Sequence, residues 1–326
     1  MNTPYLLRLL CLCSASFFLV NALMGLATWL ATPAAVQLAG RMTPRIAVRF
    51  LLALRMIPPA LASLAVVGLC VPSYLRLEPQ STAERVGLPC VVMALLGAAI
   101  CATSIIRALR ATARSGRYIR NCQRAGKKTV VPGEATPVLL IEEETPILAL
   151  AGVLRTRLLI SRGVIQALSA EELDAALRHE DAHRDSRDNF KRLLFLLAPE
   201  VLPFTRCFQA LELNWARLTE WATDDRSTAG DPRRALSLAA ALVRVARMGA
   251  APRLPLFLTS LLGDDRELLA RVDRLLRAET PPEMPMVRLR AVAGSGALVL
   301  TCCVATVLFW PSSLSAVHSL LEQLIR

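Results

Sequence analysis

The sequence predicts a membrane protein, mainly α, in which four transmembrane helices carry an α+β domain inserted between the third and the fourth. Three observations predict this. The 326 residues are 54% hydrophobic, with a mean hydropathy of +0.45, more apolar than a soluble chain of this size usually is. Four long stretches lack Asp, Glu, Lys and Arg altogether: 9–40, 56–75, 86–106 and 291–321. Between the third and fourth, the composition turns polar and charged.

Each element follows from the length of its charge-free stretch. A helix needs about 20 apolar residues to cross the hydrocarbon core. The spans are therefore expected at about 9–31, 52–72, 86–106 and 290–311, with Pro33 and Pro311 where the outer two leave the bilayer. Residues 9–31 are long for a signal-peptide core and no small-residue cleavage site follows, so the first span is read as retained. Residues 107–289 form the inserted domain, and 312–326 form a short tail.

Orientation follows from the basic residues. Arg107, Arg110, Arg114, Arg117, Arg120, Arg124, Lys127 and Lys128 follow the third span with no acid among them. Such a cluster favours the cytoplasmic side. The loop between spans one and two carries Arg41, Arg45 and Arg49, again without an acid. The loop between spans two and three balances Arg76 and Arg85 with Glu78 and Glu84. Together these place both termini outside and the inserted domain in the cytoplasm, in a multi-pass protein of the cell (inner) membrane.

The net charge of +12 raises nucleic acid as an alternative partner. The basic run follows a span directly and has only Tyr118 as an interleaved aromatic, so a bilayer with anionic head groups is the expected neighbour, with no direct nucleic acid. Of nine cysteines, seven fall in the apolar spans and none forms a CxxC pair, which excludes a zinc ribbon.

Within the inserted domain, the apolar runs 137–142, 147–153 and 156–160 predict a small sheet. Ser169 with Glu172 three residues on has the form of a capping box, so a helix should start near Ala170 and run to about Leu196, with Pro199 ending it. That helix carries His179-Glu180-Asp181-Ala182-His183. Residues i and i+4 share a helix face, so two imidazoles can hold one zinc ion, with Glu180 beside them as general base. Two of the three histidines in the chain stand in this motif. The third, His318, falls on the outer side. A catalytic zinc has three protein ligands and an open position, so the third should be a carboxylate. Glu220 is the first candidate, with Glu212 and Asp225 as competitors. Asp224, one turn beyond Glu220, can hydrogen-bond the free nitrogen of a ligand histidine.

On HEDAHRDSRDN at 179–189, on Glu220-x-x-x-Asp224 and on the order of spans, the chain resembles the BlaR/MecR-type membrane zinc metallopeptidases, the antirepressor family. The resemblance covers nearly the whole chain. It implies a gluzincin-like fold, His179, His183 and Glu220 as Zn2+ ligands, and Glu180 as the catalytic residue. It also implies that the strand region before the helix, at Leu150, Ala151 and Gly152, lines the substrate. A cytoplasmic protein substrate follows, a DNA-binding repressor among the candidates, and the reading allows a homodimer. The sensors of that family carry a large extracellular penicillin-binding domain after the fourth span. Only residues 311–326 follow Trp310 here, so β-lactam sensing is not carried over. A housekeeping membrane protease, or a non-catalytic signalling scaffold with a structural zinc, are the alternative functions.

Overall fold

The computed structural model describes residues 3–77, 86–129, 138–201, 208–249, 257–260 and 265–277, together with Ser319. The expected fourth span and most of the tail lie outside the described residues. Helix α1 spans Thr3–Ala39 and α2 spans Pro44–Ala65; α2 runs through a single π turn, Val66–Cys70, into α3, Val71–Leu77. Helix α4 spans Leu88–Ala125. Three stretches, Tyr5–Ala39, Pro44–Leu77 and Leu88–Arg124, are long and apolar enough to cross a membrane.

These helices outrun the spans expected from charge alone. At 1.5 Å per residue, a helix of this length reaches roughly 50 Å, against a hydrocarbon core of about 30 Å. Pro33 does not end α1, which continues to Ala39. A proline inside an apolar helix forfeits one backbone bond that neighbouring groups can offset, and Thr32 Oγ1 donates to the Thr28 carbonyl at 2.9 Å beside it. Pro44 starts α2 at its first turn, where a missing N–H costs nothing. Arg45 and Arg49 are therefore helical, and only a short turn separates α1 from α2.

The surplus lengths anchor the folded region that follows α4. At the α1–α2 turn, Ala39, Met42, Ala47, Val48 and Leu51 share a core with Phe195, Leu211, Trp215 and Leu218 of that region. Arg55 of α2 is fully buried and donates to the Ala198 carbonyl at 2.8 Å and to Glu200 Oε1 at 3.0 Å. The basic end of α4 packs Tyr118, Ile119 and Cys122 on one face of the sheet.

That sheet has five strands: β1 Lys127–Thr129, β2 Val138–Ile141, β3 Leu148–Ala151, β4 Arg157–Ser161 and β5 Leu258–Ser260, in the order β1-β2-β4-β3-β5. β2 and β4 are parallel, and the other pairs are antiparallel. The three central strands match the predicted apolar runs. Both faces are covered, and alternate residues serve each. Leu139, Ile141, Ala149 and Leu159 face α4. Val138, Leu148, Leu158 and Ile160 face a helical layer of α5 Arg162–Ala167, α6 Ala170–Ser186, α9 Pro232–Arg247 and α10 Asp265–Arg277. Between this layer and the α1–α2 turn lie α7, Asp188–Leu197, and α8, Gln209–Thr228.

A candidate metal centre

Helix α6 starts where the capping box predicts. Ser169 Oγ accepts from the Glu172 N–H at 3.3 Å, and Glu172 Oε2 accepts from the Ser169 N–H at 2.8 Å. The single helix expected to run from Ala170 to about Leu196 is instead two. Arg187 takes a left-handed conformation, φ 53°, ψ 43°, and separates α6 from α7. The break has a consequence for the site. On a continuous helix, Asp188 would point roughly 140° away from His183, five residues earlier. With the turn at Arg187, Asp188 Oδ2 lies 2.8 Å from His183 Nδ1.

α8 crosses α6 and brings its carboxylates to the histidines. His179, His183 and Glu220 each offer one ligand atom, all within 4.8 Å of one another, and all three residues are buried. Glu220 Oε2 stands 3.5 Å from His179 Nε2 and 3.6 Å from His183 Nε2. Ligands bound tetrahedrally at about 2.1 Å from a zinc ion lie roughly 3.4 Å apart, so the spacing fits such an ion. The competitors for the third ligand lie elsewhere. Asp225 pairs with Arg274 at 2.6 Å, and Glu212 lines a cavity with Arg107, Arg192 and Trp215.

Three features show that these residues suit a divalent cation. First, His183 Nε2 and Glu180 Oε1 are buried polar atoms without a hydrogen-bond partner, and Glu220 Oε2 has no hydrogen bond besides its ion pair with Arg271, a costly state for a folded protein unless something binds there. Second, both imidazoles are oriented from behind by carboxylates. Asp188 takes His183 Nδ1, and Asp224 Oδ1 lies 3.1 Å from His179 Nδ1. The His179 pair is close but poorly directed for a ring N–H, a charge contact and not a directed hydrogen bond. A proton on Nδ1 leaves the Nε2 lone pair for a metal. Third, once both imidazoles are neutral, as metal ligation requires, the buried charges do not balance without an ion. Glu180, Asp188, Glu220 and Asp224 are all buried, and the cations that pair with them are Arg271 and Lys191. With neutral imidazoles and all four carboxylates ionised, the deficit equals one divalent charge.

The same imbalance shapes the titration of the metal-free site. Burial and the neighbouring Glu220 push the Glu180 carboxyl up to about 7, although His183, His179 and the Leu150 N–H pull the other way. Burial opposes charge on His183, but Glu220 and Asp188 outweigh it and raise the imidazole to about 10. Burial would also raise Asp224; the guanidinium of Arg271 and the His179 ring overcome it and hold the carboxyl down to about 2.

Two neighbours complete the site, and the sequence reading gave neither a role. Arg271 of α10 is 1% exposed. Its Nε and Nη2 donate to Asp224 Oδ2 and Oδ1 at 2.9 and 2.7 Å. Its Nη1 is 3.2 Å from Glu220 Oε2, and its Nη2 is 3.4 Å from His179 Nε2. One signal could have found it: it shares a helix face with Leu268, Val272 and Leu275, which pack on the core, and a cation on an apolar stripe calls for a buried partner. Asn189 donates from Nδ2 to the carbonyls of Leu150, Gly152 and Phe257 at 3.1, 2.8 and 3.2 Å, tying α7 to the end of β3.

Leu150, Ala151 and Gly152 stand beside this cluster. The Leu150 N–H donates to Glu180 Oε2 at 3.1 Å. The edge of β3 away from β4 is not open, however, because β5 of the same chain pairs with it from Ala149 to Ala151. Gly152 has a backbone role of its own: φ is +101°, and a Cβ there would lie 2.7 Å from the Arg155 carbonyl oxygen.

No protein-family model matches the chain. No curated protein matches it either.

Proposed function

We propose that the chain is an integral membrane zinc metalloendopeptidase that hydrolyses peptide bonds of a cytoplasmic protein. The observation that carries this reading is a buried carboxylate, Glu180, with one oxygen held and the other unpartnered, in the same helix turn as two histidines that converge on Glu220. A purely structural metal site has no need of that carboxylate.

His179, His183 and Glu220 would hold the ion. Bound there, zinc would supply Lewis acidity, polarising the scissile carbonyl and bringing the pKa of a water toward neutrality. Glu180 Oε1 takes a proton from the attacking water and later passes it to the leaving amine as the C–N bond breaks. The Leu150 N–H holds Oε2, so the carboxylate keeps its aim through both transfers. Asp188 and Asp224 keep the imidazoles facing the ion. The three apolar helices and the basic run after the third support a location of this chemistry at the inner face of the cell membrane, with both termini outside. A regulatory substrate, such as a DNA-binding repressor, accords with the resemblance of HEDAHRDSRDN and Glu220-x-x-x-Asp224 to antirepressor peptidases.

The test is the zinc content of the detergent-purified protein beside His183→Ala, Glu220→Ala and Glu180→Gln, with casein cleavage assayed on the same samples. The expected result is about one zinc per wild-type chain, lost in the first two variants together with cleavage. Glu180→Gln should keep the metal and lose cleavage. A wild-type protein with neither metal nor cleavage overturns the proposal, and an active Glu180→Gln protein removes the assigned base.

A further inference from the structure

The peptidase reading leaves one chemical requirement unmet. When water adds to a peptide carbonyl, negative charge gathers on the carbonyl oxygen, and peptidases answer it with a directed donor besides the metal. Among the described residues, both histidines already belong to the candidate metal centre. The Asn189 amide is committed to three backbone carbonyls.

Arg271 meets the requirement by its position. Asp224 grips the guanidinium along one side, through Nε and Nη2. That grip turns Nη1 toward Glu220 Oε2 and keeps Nη2 near His179 Nε2. The two terminal nitrogens thus flank the seat between two of the three ligand atoms. A guanidinium normally repels a nearby metal cation, yet here the four buried carboxylates accommodate both. The group is 1% exposed, so its N–H donors act without competition from bulk water, where such donors are worth most.

We propose that Arg271 is the electrophilic partner of the metal: its guanidinium donates hydrogen bonds to the carbonyl oxygen of the scissile bond as that oxygen becomes an oxyanion. The water oxygen adds to the carbonyl carbon, the π electron pair moves onto the carbonyl oxygen facing Arg271, and the water proton goes to Glu180. On collapse the pair returns, the C–N bond breaks, and Glu180 protonates the amine. Arg271 changes no bond and keeps its own protons throughout. Asp224 is then a positioning residue twice over, for the His179 ring and for the guanidinium.

This inference rests on the peptidase reading, and its test separates the two. The probes are a casein-derived peptide that the wild-type protein cleaves and its phosphinic isostere, whose tetrahedral anion resembles the transition state. Full-length protein in detergent is compared with Arg271→Ala and Arg271→Lys. In Arg271→Ala, kcat should fall about 10²- to 10³-fold, with KM little changed and zinc kept near one per chain. Affinity for the phosphinic isostere should fall by a similar factor, while affinity for the uncleaved peptide should hold. Added guanidinium ion should restore part of both losses. If Arg271→Ala does not fold, Arg271→Lys decides: it keeps the charge but cannot grip Asp224 at two points and still flank the seat, so isostere affinity should drop at least tenfold. Isostere affinity equal to wild type in a zinc-loaded variant overturns the proposal, as does loss of the metal itself, which would make Arg271 a support for the ligands alone. A wild-type protein without zinc overturns the peptidase reading, and this inference with it.

Discussion

Replacing Asp224 by Asn keeps the shape of the side chain and removes its charge, and the structure allows the cost to be worked out. Asp224 is 1% exposed and receives Arg271 Nε on Oδ2, with Arg271 Nη2 and His179 Nδ1 both at Oδ1. An Asn whose oxygen takes the Oδ1 position turns an NH2 toward Arg271 Nε, donor against donor. The flipped amide loses the other two contacts. In the metal-free protein the carboxyl is held down to about 2 from an ordinary 3.8. That difference corresponds to roughly 2–3 kcal/mol of folding stability at neutral pH. The folded pKa is the lower one, so this contribution is present above about pH 4 and is lost as pH falls through about 2. The variant should therefore unfold with about 2–3 kcal/mol less stability at pH 7, and the gap should close in acid. Metal affinity should fall about 10- to 100-fold, because the His179 tautomer is no longer fixed. Chemical denaturation of the metal-free protein and a zinc titration against a chelator measure the two effects. Equal zinc affinity and an unchanged denaturation midpoint at pH 7 would refute the reasoning.

Other consequences follow from the same geometry. The metal-free His183 imidazole is held up to about 10 but must be neutral to ligate, so zinc uptake should release protons and its affinity should climb about tenfold per pH unit between 7 and 9; calorimetry in buffers of different ionisation enthalpy counts the protons, and a flat profile contradicts the assignment. Asn189→Ala strips the carbonyls of Leu150, Gly152 and Phe257 of a shared donor, which should cost about 2–4 kcal/mol and raise hydrogen exchange in β3; unchanged exchange there would show that Asn189 clamps nothing. Gly152→Ala puts a Cβ against the Arg155 carbonyl at a positive φ. It should destabilise the protein by roughly 1–3 kcal/mol while zinc stays bound, and a neutral result would mean that the turn relaxes freely.

Much of this protein is legible along the chain because the relevant physics is short-range. A charge-free run longer than the hydrocarbon core marks a span wherever it occurs, and the three described ones are helices of that kind. Ser169 and Glu172 satisfy each other's N–H groups across a single turn, and His179 and His183 share a face because a helix repeats every 3.6 residues. Glu220 and Asp224 share the same spacing, which also made them candidates together. The tertiary structure decided what depends on chain reversal and on distant partners. The left-handed Arg187 returns Asp188 to His183 and Asn189 to β3, against the helical continuity that the local pattern favours. β5 covers the β3 edge from more than a hundred residues away. Arg271 enters the candidate metal centre because α10 packs on the core through its apolar stripe and carries one cation inward, toward carboxylates that no local period connects to it.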